Sequence, residues 1–390
     1  MDNNNRRTGA KESSKTNVSK KAQNRKKSKM VIFGVEILVL VLLIGALWIL
    51  RDFGINKANT QPDGSSGNGF LMQLDFNEAD IAINKEVEDN EVMQGYRNIA
   101  LFGVDSRSGA LTKGTLSDAI IIASINLDTG DIKLVSVYRD TYLNLCRDTD
   151  NDPSNDKYWK CNSAYSNGGA EQAVRMLNMN LDMDIQDFVT VGFEGLTATI
   201  DALGGVYVDV DEEELRHINS YQETMAEDMH ISYTPVTTTG YQLLNGLQAT
   251  AYCRIRYKTG NDFARAASQR EVIQAIADKA KKADLKTLVD VVDAVAPYVY
   301  TSFSKEEIIG LLGDIAKYSI VDQAGFPKDD MRGASTLGSA GSCVYPINLD
   351  DNVKWLHEYL FEEEDYQPSA RVLEYSRVVH DFVSKYVNID

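Results

Sequence analysis

The sequence predicts an α/β protein of three layers, in which helices cover both faces of a central mixed β-sheet. From Arg97 onward, short runs rich in β-branched residues have the length of buried strands. Segments with helical character alternate with these runs along the rest of the chain, as expected when helices pack on a sheet. No internal repeat is visible in the 390 residues.

The strands and helices of this prediction can be placed in order. The predicted strands cover residues 98–104, 119–127, 131–137 and 206–210. Asp128–Asp131 between the second and third reads as a hairpin turn. The predicted helices are Ala170–Met179, Phe193–Leu203, Ala267–Lys282, Ser304–Tyr318, Asp350–Phe361 and Ser369–Tyr386. Gly204 and Gly205 follow the second helix, as a C-cap requires, and Ser304 is the expected N-cap of the fourth.

An apolar run, Met30–Leu50, has about the length of a helix that spans a bilayer. The residues before it carry ten Lys or Arg and two acidic residues, which favours a cytoplasmic N-terminus. We therefore expect a basic cytoplasmic tail (1–29), one transmembrane helix (30–50), an extracellular linker (51–90) and an extracellular domain (91–390) with a helical C-terminal part. A cleaved secretion signal is the alternative, but the run is long and no small-x-small site follows it closely.

The charge of the chain is distributed unevenly. The whole chain has a net charge of −17, so the part after the basic tail has −25. A domain this acidic repels a nucleic-acid backbone, and we expect no nucleic-acid partner. Any phosphate site must then be a local cluster of basic residues.

All four cysteines lie beyond the predicted span, where disulfides persist. Cys146 and Cys161 flank a polar loop and are the preferred pair, which leaves Cys253 and Cys343 as a less certain second pair among three possible pairings. Four aspartates of the loop resemble a calcium loop: Asp148, Asp150, Asp152 and Asp156. Pro153 and Trp159 replace the Gly and Glu of an EF-hand, so a solvated, disulfide-closed loop is favoured.

Four segments carry more charge than their apolar settings explain. Asp105 and Arg107 follow the first strand, Asp118 precedes the second, and Arg139 and Asp140 follow the third. The fourth segment spans residues 251–270. If it begins as a strand, Tyr252, Arg254 and Arg256 share one face, opposite Cys253, Ile255 and Tyr257.

These segments predict a phosphate cradle. Arg265 and Gln269 share a helix face, and with Arg254, Arg256, Arg139 and Lys160 they would surround an anion. Asp105 and Asp118 beside such a cradle would form a Mg²⁺ seat. The alternative is that each arginine pairs with a local carboxylate such as Asp262 or Asp140, and that Asp105 and Asp118 are turn or capping residues.

At these segments the chain resembles the LytR-CpsA-Psr family of cell-wall glycopolymer ligases, over about residues 97–273. The matching motifs, in order, are NIALFGVDSR, LSDAIIIASIN, SVYRDT, KCNSAYSNGG, DFVTVGFEGLTATIDALGGVYVDV, GYQLLNGLQATAYCRIRY and DFARAASQR. Each motif is weak alone, but their order makes the resemblance specific.

The resemblance implies a sheet-based pocket that holds a polyprenyl chain, with the pyrophosphate bound at its mouth. The implied pyrophosphate-binding residues are Arg139, Lys160, Arg254, Arg256, Arg265 and Gln269. Asp105 and Asp118 would hold Mg²⁺ (or Mn²⁺), Asp140 and Asp262 would lie near the reacting centre, and Asp105 or Asp262 would be the base. The implied catalytic set is Asp105, Arg139, Asp262, Arg254 and Arg256.

This sequence departs from the family pattern at three positions. Leu116 and Ser268 each replace an arginine, and Tyr138 replaces a proline. The cradle is therefore poorer in cations, although Arg270 or Arg107 is placed to substitute. These departures bear on activity and polymer preference more than on lipid binding.

The predicted function is Mg²⁺-assisted phosphoryl transfer, which attaches a glycopolymer of teichoic acid or capsule type from polyprenyl pyrophosphate to peptidoglycan, outside the cell membrane. Polyprenyl pyrophosphatase activity is an expected side reaction. The alternative is a non-catalytic lipid-pyrophosphate binder or envelope signalling protein.

Overall fold

The computed structural model describes residues 81–104, 111–148, 155–256, 262–280, 282–283, 287, 291, 295–303 and 317–389. Its first elements are α1 (Lys85–Glu88), β1 (Tyr96–Val104), β2 (Ser117–Asn126), β3 (Asp131–Val137), β4 (Tyr142–Asn144), β5 (Tyr158–Lys160), α2 (Ser163–Leu181), β6 (Asp187–Gly192), α3 (Phe193–Ala202) and β7 (Val206–Val210). The remaining elements are α4 (Glu212–Met229), β8 (Gly240–Leu244), α5 (Gly246–Tyr252), α6 (Asp262–Ala280), β9 (Val299–Thr301), β10 (Ser319–Phe326), β11 (Arg332–Thr336), β12 (Ser342–Pro346), α7 (Leu349–Phe361) and α8 (Ala370–Val383).

Six of these strands form the central sheet, in the order β10-β3-β2-β1-β6-β9. β2 pairs antiparallel with both β1 and β3, as the hairpin turn predicted. β1 pairs parallel with β6, and β3 pairs parallel with β10. The sheet is therefore mixed, which confirms the predicted sheet type.

Alternation along the strands of the central sheet places apolar side chains in two large cores, one on each face of the sheet. On β1, Ile99 contributes to one core and Ala100 and Phe102 to the other. The first core packs against α3 to α6, and the second against α2, α7 and α8. Helices thus cover both faces of the sheet, which confirms the three-layer prediction.

The predicted helices are present where the structure describes them, with shifted ends. α2 begins at Ser163 and includes non-helical Gly168 and Gly169, so it is longer than predicted. α6 begins at Asp262 and ends at Ala280, and α8 is capped by Ser369. The predicted helix Ser304–Tyr318 lies almost entirely outside the described residues.

The predicted strand through Tyr252, Arg254 and Arg256 is wrong. Asn245 and Gln248 form a capping box that starts helix α5, which continues to Tyr252. Cys253 and Arg254 then lie in a turn, where the Arg254 N–H donates to the Ala251 carbonyl oxygen. An alternation of six residues fits the end of a helix as well as a short strand, and the capping box upstream decides in favour of the helix.

The disulfide predictions are also wrong, because all four cysteines are free and buried. The Cys161 N–H donates to the Thr141 carbonyl oxygen, and the strand ladder continues to a bond from Leu145 N–H to the Lys157 carbonyl oxygen. Cys146 lies five residues beyond Thr141, so at about 3.3 Å per residue it is roughly 16 Å from Cys161 along the ladder. A disulfide requires α-carbons within about 7 Å.

The second proposed pair is separated as well. Cys253 belongs to the core on the α3 to α6 side, whereas Cys343 packs in a third, smaller cluster with Tyr142 and Val379. Of the four loop aspartates whose spacing resembles a calcium loop, only Asp148 and Asp156 lie within the described residues.

Within the described part of the chain, no helix is both long and apolar enough to cross a membrane. The predicted transmembrane helix at 30–50 and the linker up to residue 80 lie outside that part.

Candidate functional site

Asp118 is the centre of a cluster of charged side chains at one edge of the sheet. It is the second residue of β2, rather than a residue before the strand. Arg139 Nη1 donates to its Oδ1 at 2.6 Å, and Arg256 Nη2 donates to its Oδ2 at 3.0 Å. Arg265 Nη1 lies 3.7 Å from the same Oδ2, and Arg265 Nη2 donates to the Asp118 carbonyl oxygen at 3.3 Å. Three arginines from two distant parts of the sequence thus converge on one carboxylate.

Asp140 is the second carboxylate of the cluster and contacts two of its cations. Its carboxylate lies 3.6 Å from Arg139 Nε and 3.3 Å from Lys160 Nζ. The register of β4 with β5 brings Lys160 to this position, because Lys160 pairs with Tyr142. Together the cluster contains four cations (Arg139, Lys160, Arg256 and Arg265) and two carboxylates (Asp118 and Asp140), a net charge of +2 among these side chains.

The positive charges of the cluster affect the pKa of Asp118. Burial alone would raise this pKa, but the charges of Arg139, Arg265 and Arg256 and the hydrogen bond from Arg139 outweigh burial and lower it. Arg265 itself has a side chain only 3% exposed. A buried guanidinium needs a charged partner, and an anionic ligand would serve this purpose as well as Asp118 does.

An apolar cavity opens beside Asp118 on the α3 to α6 side of the sheet. It contains about 890 Å³ of space, counting its open mouth. Strands β1, β2 and β6 form its wall on the sheet, and α3 and α6 form its opposite wall, through residues that include Leu101, Ile121, Val189, Val191, Leu196 and Val272. Asp118 and Gln269 supply polar groups to this lining.

Gln269 and Arg265 occupy the same face of α6, as their four-residue spacing predicted. Both line a smaller depression with Arg139 and Tyr138, and Asp118 borders this depression as well as the cavity. The charged cluster and the apolar cavity are therefore continuous.

Arg254 does not join the cluster. Its guanidinium lies 4.4 Å from the ring centroid of Phe193 and 5.9 Å from that of Tyr221. Because α5 ends in a turn and not in a strand, Arg254 and Arg256 do not share a face. Phe193 lines the cavity, so Arg254 lies at the cavity wall formed by α3.

Several predicted residues fall outside the description. Asp105 and Arg107 lie beyond the end of β1, in the interval 105–110. Asp262 is the first residue of α6, but its side chain is not described. The base and the second half of the Mg²⁺ seat therefore stay predictions.

The positions that depart from the family pattern are placed clearly. Leu116 is exposed and Ser268 is buried. Arg270, which was expected to substitute for a lost arginine, donates to Ser136 Oγ at 2.9 Å. The Tyr138 ring packs edge-on against Phe263, with 4.5 Å between centroids.

Asp118 alone does not fit a magnesium seat in this arrangement. Both of its oxygens accept from guanidinium groups, and three arginines around it oppose a divalent cation. No group of three or more His, Cys, Asp or Glu side chains suited to a metal is present among the described residues.

The cavity-lining residues were missed by the sequence prediction. Their signal was the apolar alternation on β1, β2 and β6, which also marks an ordinary core. Gly103 near the end of β1 is a sharper signal, because a glycine inside a strand indicates close approach of another group. In the structure an added Cβ would lie 3.0 Å from Ala119 Cβ in the cavity wall.

Fold and site together define an α/β protein with a cluster of net positive charge at the mouth of an apolar cavity, an arrangement suited to an amphiphile with an anionic head group. A model of the LytR_cpsA_psr family matches residues 71–344. The chain therefore belongs to the LytR_cpsA_psr family.

The chain is similar in sequence to two relatives and in structure to a solved relative. The chain is 28% identical over 355 residues to polyisoprenyl-teichoic acid–peptidoglycan teichoic acid transferase TagV of Bacillus subtilis, a match covering 86% of this chain and 81% of TagV. It is 32% identical over 187 residues to biofilm regulatory protein A of Streptococcus mutans, covering 47% of this chain and 43% of that protein. The crystal structure of B. subtilis TagV matches with a TM-score of 0.53 and 25% identity, covering 70% of this chain and 98% of TagV.

Proposed function

We propose that this protein transfers a phosphate-linked glycopolymer, of teichoic acid or capsule type, from a polyprenyl pyrophosphate to peptidoglycan. The observation that carries the proposal is a cluster of net charge +2 at the mouth of an apolar cavity, in a chain whose total charge is −17. A lipid diphosphate has the two parts that this site complements. The relative TagV is named as a transferase of this kind.

In this proposal the polyprenyl chain occupies the cavity between the sheet and helices α3 and α6. Burial of an apolar chain against Leu101, Ile121 and Val189 supplies binding free energy, at about 25 cal/mol for each Å² removed from water. The diphosphate then lies at the mouth, where Arg139, Arg256 and Arg265 exchange Asp118 for phosphate oxygens.

The transfer step is a phosphoryl transfer. A sugar hydroxyl of peptidoglycan forms a new P–O bond to the phosphorus next to the glycopolymer, and the bond from that phosphorus to the bridging oxygen breaks. The bridging oxygen leaves with polyprenyl phosphate, and the hydroxyl proton passes to a carboxylate, for which Asp105 and Asp262 are the candidates. The arginines stabilise charge that develops on the bridging and equatorial oxygens.

The proposal includes Mg²⁺ or Mn²⁺ as a cofactor. Once the arginines contact phosphate oxygens, the carboxylate of Asp118, together with Asp105, would hold the ion, which would neutralise phosphate charge. The purified full-length protein, assayed in chelator and then with added Mg²⁺, will show whether transfer depends on it.

The proposed setting is the outer side of the cell membrane, with a cytoplasmic N-terminus and a single span at 30–50. Protease treatment of intact cells tests this topology. We expect the domain at 91–390 to be digested and the basic tail to be protected, whereas protection of the domain would contradict the arrangement.

The direct test of function uses purified full-length protein in detergent, a polyprenyl-pyrophosphate-linked glycopolymer and peptidoglycan. We expect polyprenyl phosphate to be released as polymer becomes covalently attached to peptidoglycan. Release without attachment would indicate the pyrophosphatase side activity alone.

The second candidate is a non-catalytic lipid-pyrophosphate binder with a role in envelope signalling. The name of the S. mutans relative, a regulatory protein, favours it. Tight binding of the lipid diphosphate without any turnover, under conditions in which TagV transfers polymer, would favour this candidate over the transferase.

A further inference from the structure

The C-terminal hairpin formed by β11 and β12 contacts the charged cluster, although it lies beyond the motifs at 97–273. The Val344 N–H of β12 donates to the Asp140 carbonyl oxygen at 3.0 Å, and Val344 forms a parallel bridge with Thr141. This strand therefore packs along the segment that carries Arg139 and Asp140.

The other strand of the hairpin reaches the second side of the cluster through Arg332. Its guanidinium carbon lies 3.5 Å from the ring centroid of Phe263 and 5.2 Å from that of Tyr138. Asp329 orients this guanidinium, because its Oδ1 accepts from Arg332 Nε at 3.2 Å and from Nη2 at 2.9 Å. The Arg332 side chain is 16% exposed, so the cation–π contacts are largely shielded from water.

The two rings lie next to residues of the charged cluster. Tyr138 immediately precedes Arg139, and Phe263 is two residues before Arg265 in the first turn of α6. The first turn of a helix has backbone groups without intrahelical partners and frays more easily than the middle. A cation stacked on Phe263 restrains this turn, and the edge-on contact of Phe263 with Tyr138 ties it to the end of β3.

We propose that Arg332 is a positioning residue of the candidate diphosphate site. It fixes the first turn of α6 against Tyr138, so that Arg265 and Gln269 stand in register with Arg139 around the diphosphate. This inference rests on the proposed function. The aromatic ring of Tyr138 is needed for this arrangement. The proline that the family pattern has at this position has no aromatic ring and could not make the same contacts.

Positioning of this kind affects the transition state more than ground-state binding of the lipid, since the apolar chain is held elsewhere in the cavity. Displacement of a catalytic group by a fraction of an ångström is enough to slow a reaction substantially. We expect Arg332→Gln to lower kcat about tenfold, which corresponds to about 1.4 kcal/mol, and to change KM for the lipid diphosphate by less than about threefold.

The experiment compares steady-state transfer by the full-length wild type, Arg332→Gln, Arg332→Lys and a control, Arg371→Gln. Arg371 also lies over an aromatic ring, Tyr375, at 5.9 Å, but on helix α8. Arg332→Lys keeps the charge and loses the planar stacking, so we expect kcat between those of wild type and Arg332→Gln. Arg371→Gln should leave kcat unchanged.

If Arg332→Gln does not fold, the variant Asp329→Asn tests the same contact. Asp329 is 81% exposed at its side chain, so Asp329→Asn should fold, and it releases Arg332 from its fixed orientation. We expect about a threefold loss in kcat from this change.

These measurements distinguish a failure of the role proposed for Arg332 from a failure of the proposed function. If wild type transfers polymer and Arg332→Gln and Asp329→Asn have wild-type kcat at a temperature where both are folded, Arg332 has a structural role only and the inference is overturned. If wild type neither transfers polymer nor binds the lipid diphosphate, the proposed function itself fails and the inference with it.

Discussion

The two faces of the central sheet have the same alternating apolar pattern but different interiors. The face toward α2, α7 and α8 is filled, with Phe102, Tyr165 and Phe188 almost completely buried. The face toward α3 and α6 leaves a cavity between Leu101 and Leu196. One strand, β1, supplies residues to both. The comparison shows that the packed face serves stability and the hollow face is available for a ligand.

The largest effect expected on the packed face comes from Phe188→Ala. Phe188 is 1% exposed and its ring lies 5.0 Å from that of Tyr300. Because its removal leaves a void in a filled core, we expect a loss of about 3–5 kcal/mol in the free energy of unfolding, measured in urea. Leu196→Ala, beside the existing cavity, should cost only about 1–2 kcal/mol. Equal losses would show that the two faces are packed alike.

The largest effect expected at the hollow face is on activity. Arg139 contacts both Asp118 and Asp140 at the cavity mouth. Arg139→Ala should lower the transfer rate about 10²–10³-fold, by analogy with lost oxyanion donors. The control is Arg216→Ala, an exposed arginine on α4, which should retain wild-type rates. Wild-type transfer by Arg139→Ala would remove this arginine from the mechanism.

Neighbouring residues of β1 allow a matched test of the two interiors. Ala100 points into the filled core and Leu101 into the cavity. Ala100→Leu overpacks the filled core and should cost about 1–3 kcal/mol of stability. Leu101→Phe enlarges a side chain into empty space, so stability should change by less than about 1 kcal/mol while lipid binding weakens. Chemical denaturation and lipid titration of both variants measure the contrast.

The pH dependence of stability should follow Asp118. Its folded-state pKa is lowered, so its contribution to stability is present above the unfolded-state pKa of about 4 and is lost as the pH falls through the lower folded-state value. Wild type should therefore lose more stability than Asp118→Asn between about pH 5 and pH 3, by urea unfolding at each pH. Parallel pH profiles would contradict the paired state of Asp118.

The smallest effect is expected for reducing agent. The four cysteines are free, and burial raises the pKa of the Cys146 thiol to about 12 and that of Cys343 to about 11. Dithiothreitol should leave the melting temperature unchanged. A thiol reagent should label the cysteines only after unfolding, because the thiolate is the reactive form. A large drop in melting temperature on reduction would restore the disulfide prediction.

The sequence predicted the sheet better than it predicted the cavity. Strands β1 to β3 carry a local period of two, and the Asp128–Asp131 turn joins two of them, so their pairing follows from neighbouring residues. Whether Leu101 meets a partner or an empty space depends on α3 and α6, which lie far along the chain. Helix α4 was not predicted, although Asp211 and Glu214 form a capping box at its start.

The sequence predicted that several basic residues would converge, but not which carboxylate they would contact. The convergence of Arg139, Arg256 and Arg265 was expected from residue type and order. The sequence could not show that Asp118 would be their shared partner, since the strand end and helix start that bring them together are more than a hundred residues apart. Arg254 was misplaced because a six-residue alternation was interpreted as a strand.

A crystal structure of the protein with a short polyprenyl pyrophosphate would show whether the lipid lies in the cavity and the diphosphate at the arginines. We expect prenyl units against Leu101, Ile121 and Val189, and diphosphate oxygens within about 3.2 Å of guanidinium nitrogens of Arg139 and Arg265. A lipid bound outside the cavity, or a diphosphate bound away from these arginines while Asp118 keeps its present partners, would contradict this expectation.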